Sequence, residues 1–500
     1  MIPSKSSPIF FQTFVSSLLG YLSLFFINRY VGPVYWGYLS YALAFGGLFS
    51  LITDLGFNTA YMKSISGEED KADDMGTYLF IKIILNIVYI LIILISLWLW
   101  IDILKRGFQN PIEFWTIITI IPYFVIANFI PLFNNYYRSE MQSYKISMSR
   151  LIEAVLRNSI LIVIGIMYYL HMEGDLGSDI VVIFSLLYTL SYGLYITILW
   201  HYGSPWHMGK PTMRNIRKYI TIALPLAFAT SMSIINGNVD KIIVQFFWGA
   251  IATGALYTDQ RLISIFTAFT TPITIFILPI LMKKLKETKE IQGQEIIQYE
   301  RILSLVIMPF MLIFVIMSPF ILNLYNGVYL DYATSLSIIA IGGYISSLSM
   351  PFAEGLISKG KQHIIGSISL IAITLNILLN LILIPRNIYN IKMLSLGVTG
   401  AAISYVIASL LTYVLYKHYY NKYNETKIKS LTLKHIIVAL PTTIFLLYFA
   451  LVIKPYAFTY LFPVVLVSLM IYTGMSIVMK EISIGQIKDI IRNIIPKKGF

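Results

Sequence analysis

The chain has 500 residues, of which 57% are hydrophobic and only 12% charged. A soluble domain carries about 25% charged residues, so a soluble fold is excluded, and the long unbroken apolar stretches exclude the ~10-residue alternation of a transmembrane β-barrel. The net charge of +13 is spread over alternate loops, which points to a membrane surface and away from nucleic acid, and the absence of cysteine removes thiol, disulfide and Cys-ligated metal chemistry.

Fourteen apolar stretches read as spanning helices, at about 8–28, 35–56, 77–101, 113–136, 151–170, 179–200, 219–247, 253–282, 302–325, 335–357, 364–384, 396–416, 435–453 and 458–479. Each holds roughly the 20 residues that cross ~30 Å of hydrocarbon. The seventh and eighth are the longest, and Pro225, Gly237 and Pro272 are their expected kink points. The predicted class is therefore an all-α integral membrane protein with about 14 transmembrane helices. Its expected parts are an N-terminal six-helix bundle (1–204), a cytoplasmic linker (205–218), a second six-helix bundle (219–417) and two additional spans (435–479). A cytoplasmic amphipathic tail follows (480–500), with isoleucines at helical spacing and Lys488 and Arg492 toward anionic headgroups. Capping of the bundle's cytoplasmic face is the other reading of that tail.

Orientation follows from the basic residues. With a cytoplasmic N-terminus, the external loops hold only Arg29, Lys105, Arg106, Arg386, Lys392 and Lys454, while the internal loops hold clusters such as Lys283, Lys284, Lys286 and Lys289. Positive charge is retained inside, so both termini are expected in the cytoplasm. The two six-helix parts also share a faint repeat: Gly32 and Gly37 map onto Gly249 and Gly254 at one offset of 217 residues, and both pairs bracket a short external turn. Internal repeats of this kind are a common transporter plan.

Charges inside apolar spans are costly, and they usually face a partner, the bundle interior or a water-lined path. Asp240 and Lys241 lie side by side in the seventh span, and Asp259 and Arg261 lie in the eighth. With the turn near residues 250–251, Lys241 and Arg261 are each about ten residues, or ~15 Å, from it. Two readings stay open: structural ion pairs that lock the two spans, or a partly cationic patch that contacts an anionic substrate or an ion. Arg29 closes the first span as a snorkelling residue or as part of that patch. In the fifth span Arg150, Glu153 and Arg157 share one helical face, and Glu153 can pair with Arg157 at i+4, so an ion-paired helix end competes with a cavity lining. Asp54 and Glu354 are lone acids near inner span ends. Together with Glu153 they are candidate coupling carboxylates for H⁺ or Na⁺, against plain helix capping.

No catalytic set emerges. There is no Gly-x4-Gly-Lys-Ser/Thr loop, no His-x3-His pattern and no soluble domain, so no cofactor or metal is expected.

Several segments resemble one family. Asn28-Arg-Tyr-Val-Gly-Pro-Val-Tyr-Trp-Gly-Tyr38, Thr53-Asp-Leu-Gly-Phe57, Asn238-Val-Asp-Lys-Ile-Ile-Val244 with Gly254-Ala-Leu-Tyr257, and Leu396-Gly-Val-Thr-Gly-Ala-Ala-Ile403 are similar, in order, to motifs of the polysaccharide transporter branch of the multidrug/oligosaccharidyl-lipid/polysaccharide exporter superfamily. That group contains the O-antigen flippases. The resemblance implies two pseudo-symmetric bundles around a central cavity. It implies a flippase in the cytoplasmic membrane that moves polyprenyl-(pyro)phosphate-linked oligosaccharide by alternating access, for surface polysaccharide or glycoconjugate assembly. Arg29, Arg157, Lys241 and Arg261 would meet the phosphate or acidic sugars; membrane lipids, and glycosyltransferases or a polymerase of the same pathway, would be its partners. In this chain Asp240 and Asp259 nearly balance the cations of the hairpin, which departs from a strongly cationic cavity. The alternatives are an ion-coupled exporter of small organic compounds and a membrane-bound enzyme of glycan assembly.

Overall fold

The computed structural model describes residues 7–66, 71–103, 105, 107–108, 110–172, 177–203, 208–270, 293–388, 391–423, 432–452 and 458–481. Among them, twelve helices are long and apolar enough to cross a bilayer, and a bent pair, Met213–Phe228 with Thr230–Trp248, makes a thirteenth. The fold class is therefore that expected, a nearly all-helical multi-pass membrane protein. The eighth expected span is described only as far as Thr270, and Pro272 and the tail beyond Glu481 lie outside the described residues. Helices suit this setting because each closes its own backbone hydrogen bonds where no water can. Their outer faces carry large exposed apolar side chains such as Leu91, Leu190, Leu224 and Met470, as a surface solvated by lipid requires.

Several spans are broken rather than straight. The first, α1 (Ser7–Phe26), ends in a π-helical turn, Ile27–Val31. The second is α2 (Pro33–Phe49) followed by α3 (Leu51–Asp54). Leu55 and Gly56 then take left-handed φ values of 40° and 81° and turn the chain into α4 (Phe57–Ile65). A Cβ at Gly56 would lie 2.7 Å from the Ala223 carbonyl oxygen, so both backbone angle and space call for glycine there. The third span is α5 (Ala72–Trp98). The fourth divides into α6 (Pro111–Ala127) and α7 (Ile130–Ser139), with Pro131 in the first turn of α7. The fifth and sixth are α8 (Ser143–Tyr169) and α9 (Ile180–Tyr202).

The seventh span is α10 (Met213–Trp248), with a bend of 43° at residue 229. The bend falls one turn past Pro225, whose ring clashes with the carbonyl four residues before it and which lacks an N–H. Gly237 lies within the helix after the bend. After α11 (Ala250–Ile263) come α12 (Gly293–Ile316), α13 (Ser318–Tyr325), α14 (Ala333–Ser358) and α15 (Gln362–Leu383). A two-stranded hairpin, Asn387–Ile388 with Ile391–Lys392, precedes α16 (Gly397–Lys422), α17 (Thr432–Val452) and α18 (Leu461–Val478).

The chain forms two compact units, one of residues 8–258 with 380–397, the other centred on 259–379 and 398 onward. The seventh helix thus packs with the N-terminal six. The core of the first unit is rich in tyrosine. Tyr61 stacks on Tyr78 with centroids 4.1 Å apart, and the Tyr219 hydroxyl donates to Asp74 at 2.8 Å. Ser64 donates to the other Asp74 oxygen at 2.7 Å, so this buried acid ties α4, α5 and α10 together. In the second unit Phe352, Leu356, Ile364, Ile368, Tyr416 and Tyr420 form one apolar cluster. A smaller one, with Met308, Val438, Ala439 and Tyr472, joins the two additional spans to α12.

Candidate functional site

In the first unit the charged positions are neutralised close to home. Asp240 and Lys241 are both buried on α10, 8% and 6% exposed. The Lys241 ammonium donates to the Gly237 carbonyl at 2.7 Å and lies 3.5 Å from Asp240 Oδ1, which also accepts the Lys241 backbone N–H at 2.8 Å. An ammonium in a span needs acceptors in place of water, and this one finds them on its own helix. One turn further, Gln245 donates to the buried carboxylate of Glu113 at 3.3 Å. Glu113 sits in the first turn of α6, where the helix dipole favours an anion. Arg29 occupies the π-helical turn beside the fully buried Asn28.

Arg157 and Glu153 form the i, i+4 pair that their spacing predicts, at 2.6 Å. The guanidinium lies 4.8 Å from the centre of the Tyr188 ring, and Tyr123 contacts both Tyr188 and Tyr192. A neutralised guanidinium against aromatic rings is a surface that suits a polar ligand with flat faces. Arg150, on the same helix, is exposed.

Asp54 accepts the Asn58 backbone N–H at 3.2 Å, so it helps to start α4. Nearby is a residue absent from the candidates that the sequence suggests. Lys82 on α5 is 1% exposed, donates to the Thr53 carbonyl at 2.6 Å and lies 5.5 Å from the Tyr78 ring centre. It is a lysine among isoleucines in the third span, and the criterion that singles out the seventh and eighth spans applies to it equally. Glu113 and Asp74 are harder to pick out, because they stand near span starts, where acids look ordinary.

The second unit is arranged differently. Asp259 on α11 is fully buried, and one of its oxygens lies 2.5 Å from the Ser335 hydroxyl of α14. Its other oxygen has no hydrogen-bond partner among the described residues. Arg261 is exposed and forms no ion pair among the described residues. Lys241 thus bonds within its own helix, and Asp259 bonds to a hydroxyl of α14. Glu354 on α14 is part-buried, with one oxygen unpartnered among the described residues.

Two further clusters carry no signal in the sequence because their members are far apart in it. Glu300 on α12 accepts from the Tyr413 hydroxyl of α16 at 2.7 Å, with Lys417 at 3.9 Å. Beside it Arg301 holds Glu481, just after the last span, at 2.6 Å. Glu481 in turn lies 3.5 Å from the buried His435, whose other ring nitrogen meets Ser304 at 2.7 Å.

The fold is one shared with solved membrane transporters. It superposes on the lipid II flippase MurJ, inward closed conformation, with a TM-score of 0.70 over 97% of this chain and 100% of that one, at 14% identity. It superposes on an inward-facing multidrug resistance MATE family transporter of the MOP superfamily with a TM-score of 0.61, over 81% of this chain and 94% of that one, also at 14% identity. At such identities the likeness is one of fold. Sequence supplies the family: residues 5–285 match the polysaccharide biosynthesis protein family, and the chain belongs to it. Among its relatives are a capsular polysaccharide biosynthesis protein, CapF, of Staphylococcus aureus, 23% identical over 48% of this chain, and a probable low-salt glycan biosynthesis flippase, Agl15, of Haloferax volcanii, 22% identical over 49%. The matched stretches span 64% and 50% of those relatives' own lengths.

Proposed function

We propose that this protein is a flippase that moves polyprenyl-(pyro)phosphate-linked oligosaccharide across the cytoplasmic membrane by alternating access, with both termini in the cytoplasm. The observation that carries this reading is the set of intramembrane cations held on their own helices, Lys241 by Gly237 and Asp240 and Arg157 by Glu153, in a chain of the polysaccharide biosynthesis family. A lipid-linked glycan keeps its tail in the bilayer while its phosphate and sugars must cross hydrocarbon. That crossing needs cations for the phosphate and ring faces for the sugars, and Lys241, Arg157 and the tyrosines around Arg157 supply both. Arg29 and Arg261 would add charge along the same route. Coupling to H⁺ or Na⁺ would run through buried carboxylates, and enzymes that make or polymerise the glycan would work beside it.

The fold shared with a MATE transporter and the buried lone acid Asp259 favour one second reading, an ion-coupled exporter of small organic compounds. Reconstitution separates the two. Purified protein in liposomes should bring a labelled lipid-linked oligosaccharide from the inner to the outer leaflet. Failure to move any such lipid under proton, sodium and no gradient, while a small organic cation is exported, would overturn the flippase reading. Reporter fusions at residues 1 and 500 test the orientation, and a signal from outside at either end would refute it.

A further inference from the structure

One face of α5 carries four polar side chains that a helix does not need in order to cross lipid. Tyr78, Lys82, Asn86 and Tyr89 stand at i, i+4, i+8 and i+11, so they share that face. All four are buried, none more than 4% exposed. Each meets a helix of another span. The Tyr89 hydroxyl donates to the Gly46 carbonyl of α2 at 3.2 Å. Asn86 accepts from the side chain of Asn128, at the end of α6, at 2.9 Å. Lys82 donates to the Thr53 carbonyl of α3 at 2.6 Å, and Tyr78 to the Asn58 side chain of α4 at 2.5 Å.

Two of these contacts fall on breaks. A continuous helix would give the Thr53 carbonyl the N–H of Phe57, but Leu55 and Gly56, with φ of 40° and 81°, turn the chain away. The Lys82 ammonium stands in for that N–H, where hydrocarbon offers no water to do so. In the fourth span Pro131 has no N–H for the Ala127 carbonyl. There α6 ends at Ala127, and the side chain of the next residue, Asn128, reaches Asn86. The segments beyond the two breaks are also joined to each other. Asn135 of α7 donates to the Asn58 carbonyl at 3.1 Å, and Tyr61 of α4 to the Leu132 carbonyl at 3.3 Å. Tyr61, Ile130, Phe133 and Tyr137 meet Met75 and Tyr78 of α5 in one apolar core.

We infer that α5 is a splint: its face of Tyr78, Lys82, Asn86 and Tyr89 braces the breaks of the second and fourth spans, so that α4 and α7 shift only as one body with α5. The two breaks are then not independent joints. A hydrogen bond at one of them sets the order of the other, through α5 and through the contact of α4 with α7. This separates Lys82 from Lys241 and Arg157, whose acceptors lie on their own helices; the acceptor of Lys82 lies on a different span.

Amide hydrogen exchange of the full chain in lipid nanodiscs tests this without any transported substrate, so its outcome is independent of the flippase reading. Lys82→Met keeps the reach of the side chain and removes the donor. It should speed exchange by roughly tenfold, the order expected for one lost buried hydrogen bond, in residues 53–60 and also in residues 127–135, far from the Thr53 contact. Asn86→Leu removes the contact to Asn128 and should speed exchange at 53–60 as well as at 127–135. The double variant should add little to either single one, because each single loss already releases the brace. Exchange in residues 155–169 of α8 should stay level in all three, which separates loss of the brace from general unfolding. Acceleration confined to the break beside the substituted residue overturns the inference, and so does acceleration that runs equally through α8. Should Lys82→Met fail to fold, Asn86→Leu alone decides between these results, since its distant site is the break of the second span.

Discussion

Two cations of the first unit and three charged groups of the second are held in opposite ways. In the first, Arg157 pairs with Glu153 and Lys241 with Gly237 and Asp240, each along its own helix. In the second, Asp259 reaches across to Ser335, Glu300 to Tyr413, and Arg301 to Glu481. A pair within one helix travels with that helix and stays satisfied when neighbours slide. A contact between helices is made or lost when they move. Sliding of helices would therefore leave the Arg157 and Lys241 contacts unaltered and would change the hydrogen bonds named in the second unit. The first unit also holds some buried charges across helices: Lys82 on the Thr53 carbonyl, Asp74 by Ser64 and Tyr219, and Glu113 by Gln245.

Removing one member of a buried pair tests the contrast most strongly. Glu153→Leu leaves Arg157 without its carboxylate, and breaking a buried pair costs about 3–5 kcal/mol. The thermal midpoint in detergent should fall sharply, and Glu153→Leu with Arg157→Leu should restore most of it. A double variant no more stable than the single would show that the pair is held by more than its own helix. Next in size is Gly37→Val in the first unit. A Cβ at Gly37 would lie 1.9 Å from the Ala250 carbonyl oxygen, so α2 and α11 must separate, and overpacking costs about 1–3 kcal/mol. A Gly37→Val protein with unchanged melting would mean that this contact is easily given up.

Lys241→Ala should lower lipid transport by roughly 10–100-fold, the equivalent of one charged hydrogen bond of about 1.5–3 kcal/mol, with a smaller change in folded yield. Lost yield with normal transport by the surviving protein would make Lys241 a structural residue. The smallest effect is expected for Tyr413→Phe, which removes one of the inter-helix bonds to Glu300 and should cost about 1–3 kcal/mol if the acid is left short of a donor. Calorimetry of the variant checks it, and a shift below the noise would show that Glu300 does not depend on the Tyr413 hydroxyl.

The same contrast explains what is legible in the amino-acid sequence. Spacing fixes a pair within a helix, so Glu153–Arg157 and Asp240–Lys241 stand out from their positions along the chain. The spans are equally plain, because hydrocarbon demands long apolar runs. Contacts between helices are set by packing. Nothing near residue 259 points to Ser335, 76 residues on, and nothing near Arg301 points to Glu481, 180 residues on. The breaks at Leu55–Gly56, Asn128–Phe129 and Met317 are hidden as well, since hydropathy reports length and composition but not direction. Lys82 is readable in the sequence, since a lone lysine in an apolar span meets the same criterion as Lys241.

The π-helical turn at Ile27–Val31 closes with the Gly32 N–H on the Ile27 carbonyl, five residues back, at 2.9 Å. Such a turn is one residue longer than an α-helical turn, and each residue of helix amounts to about 100° of rotation. It acts as a phase shifter between the first span and the second. Deleting Ile27 would regularise the helix and swing Arg29 by about a quarter-turn while leaving the chain's charge untouched and its hydropathy almost so. A change nearly invisible to composition would thus redirect a basic side chain.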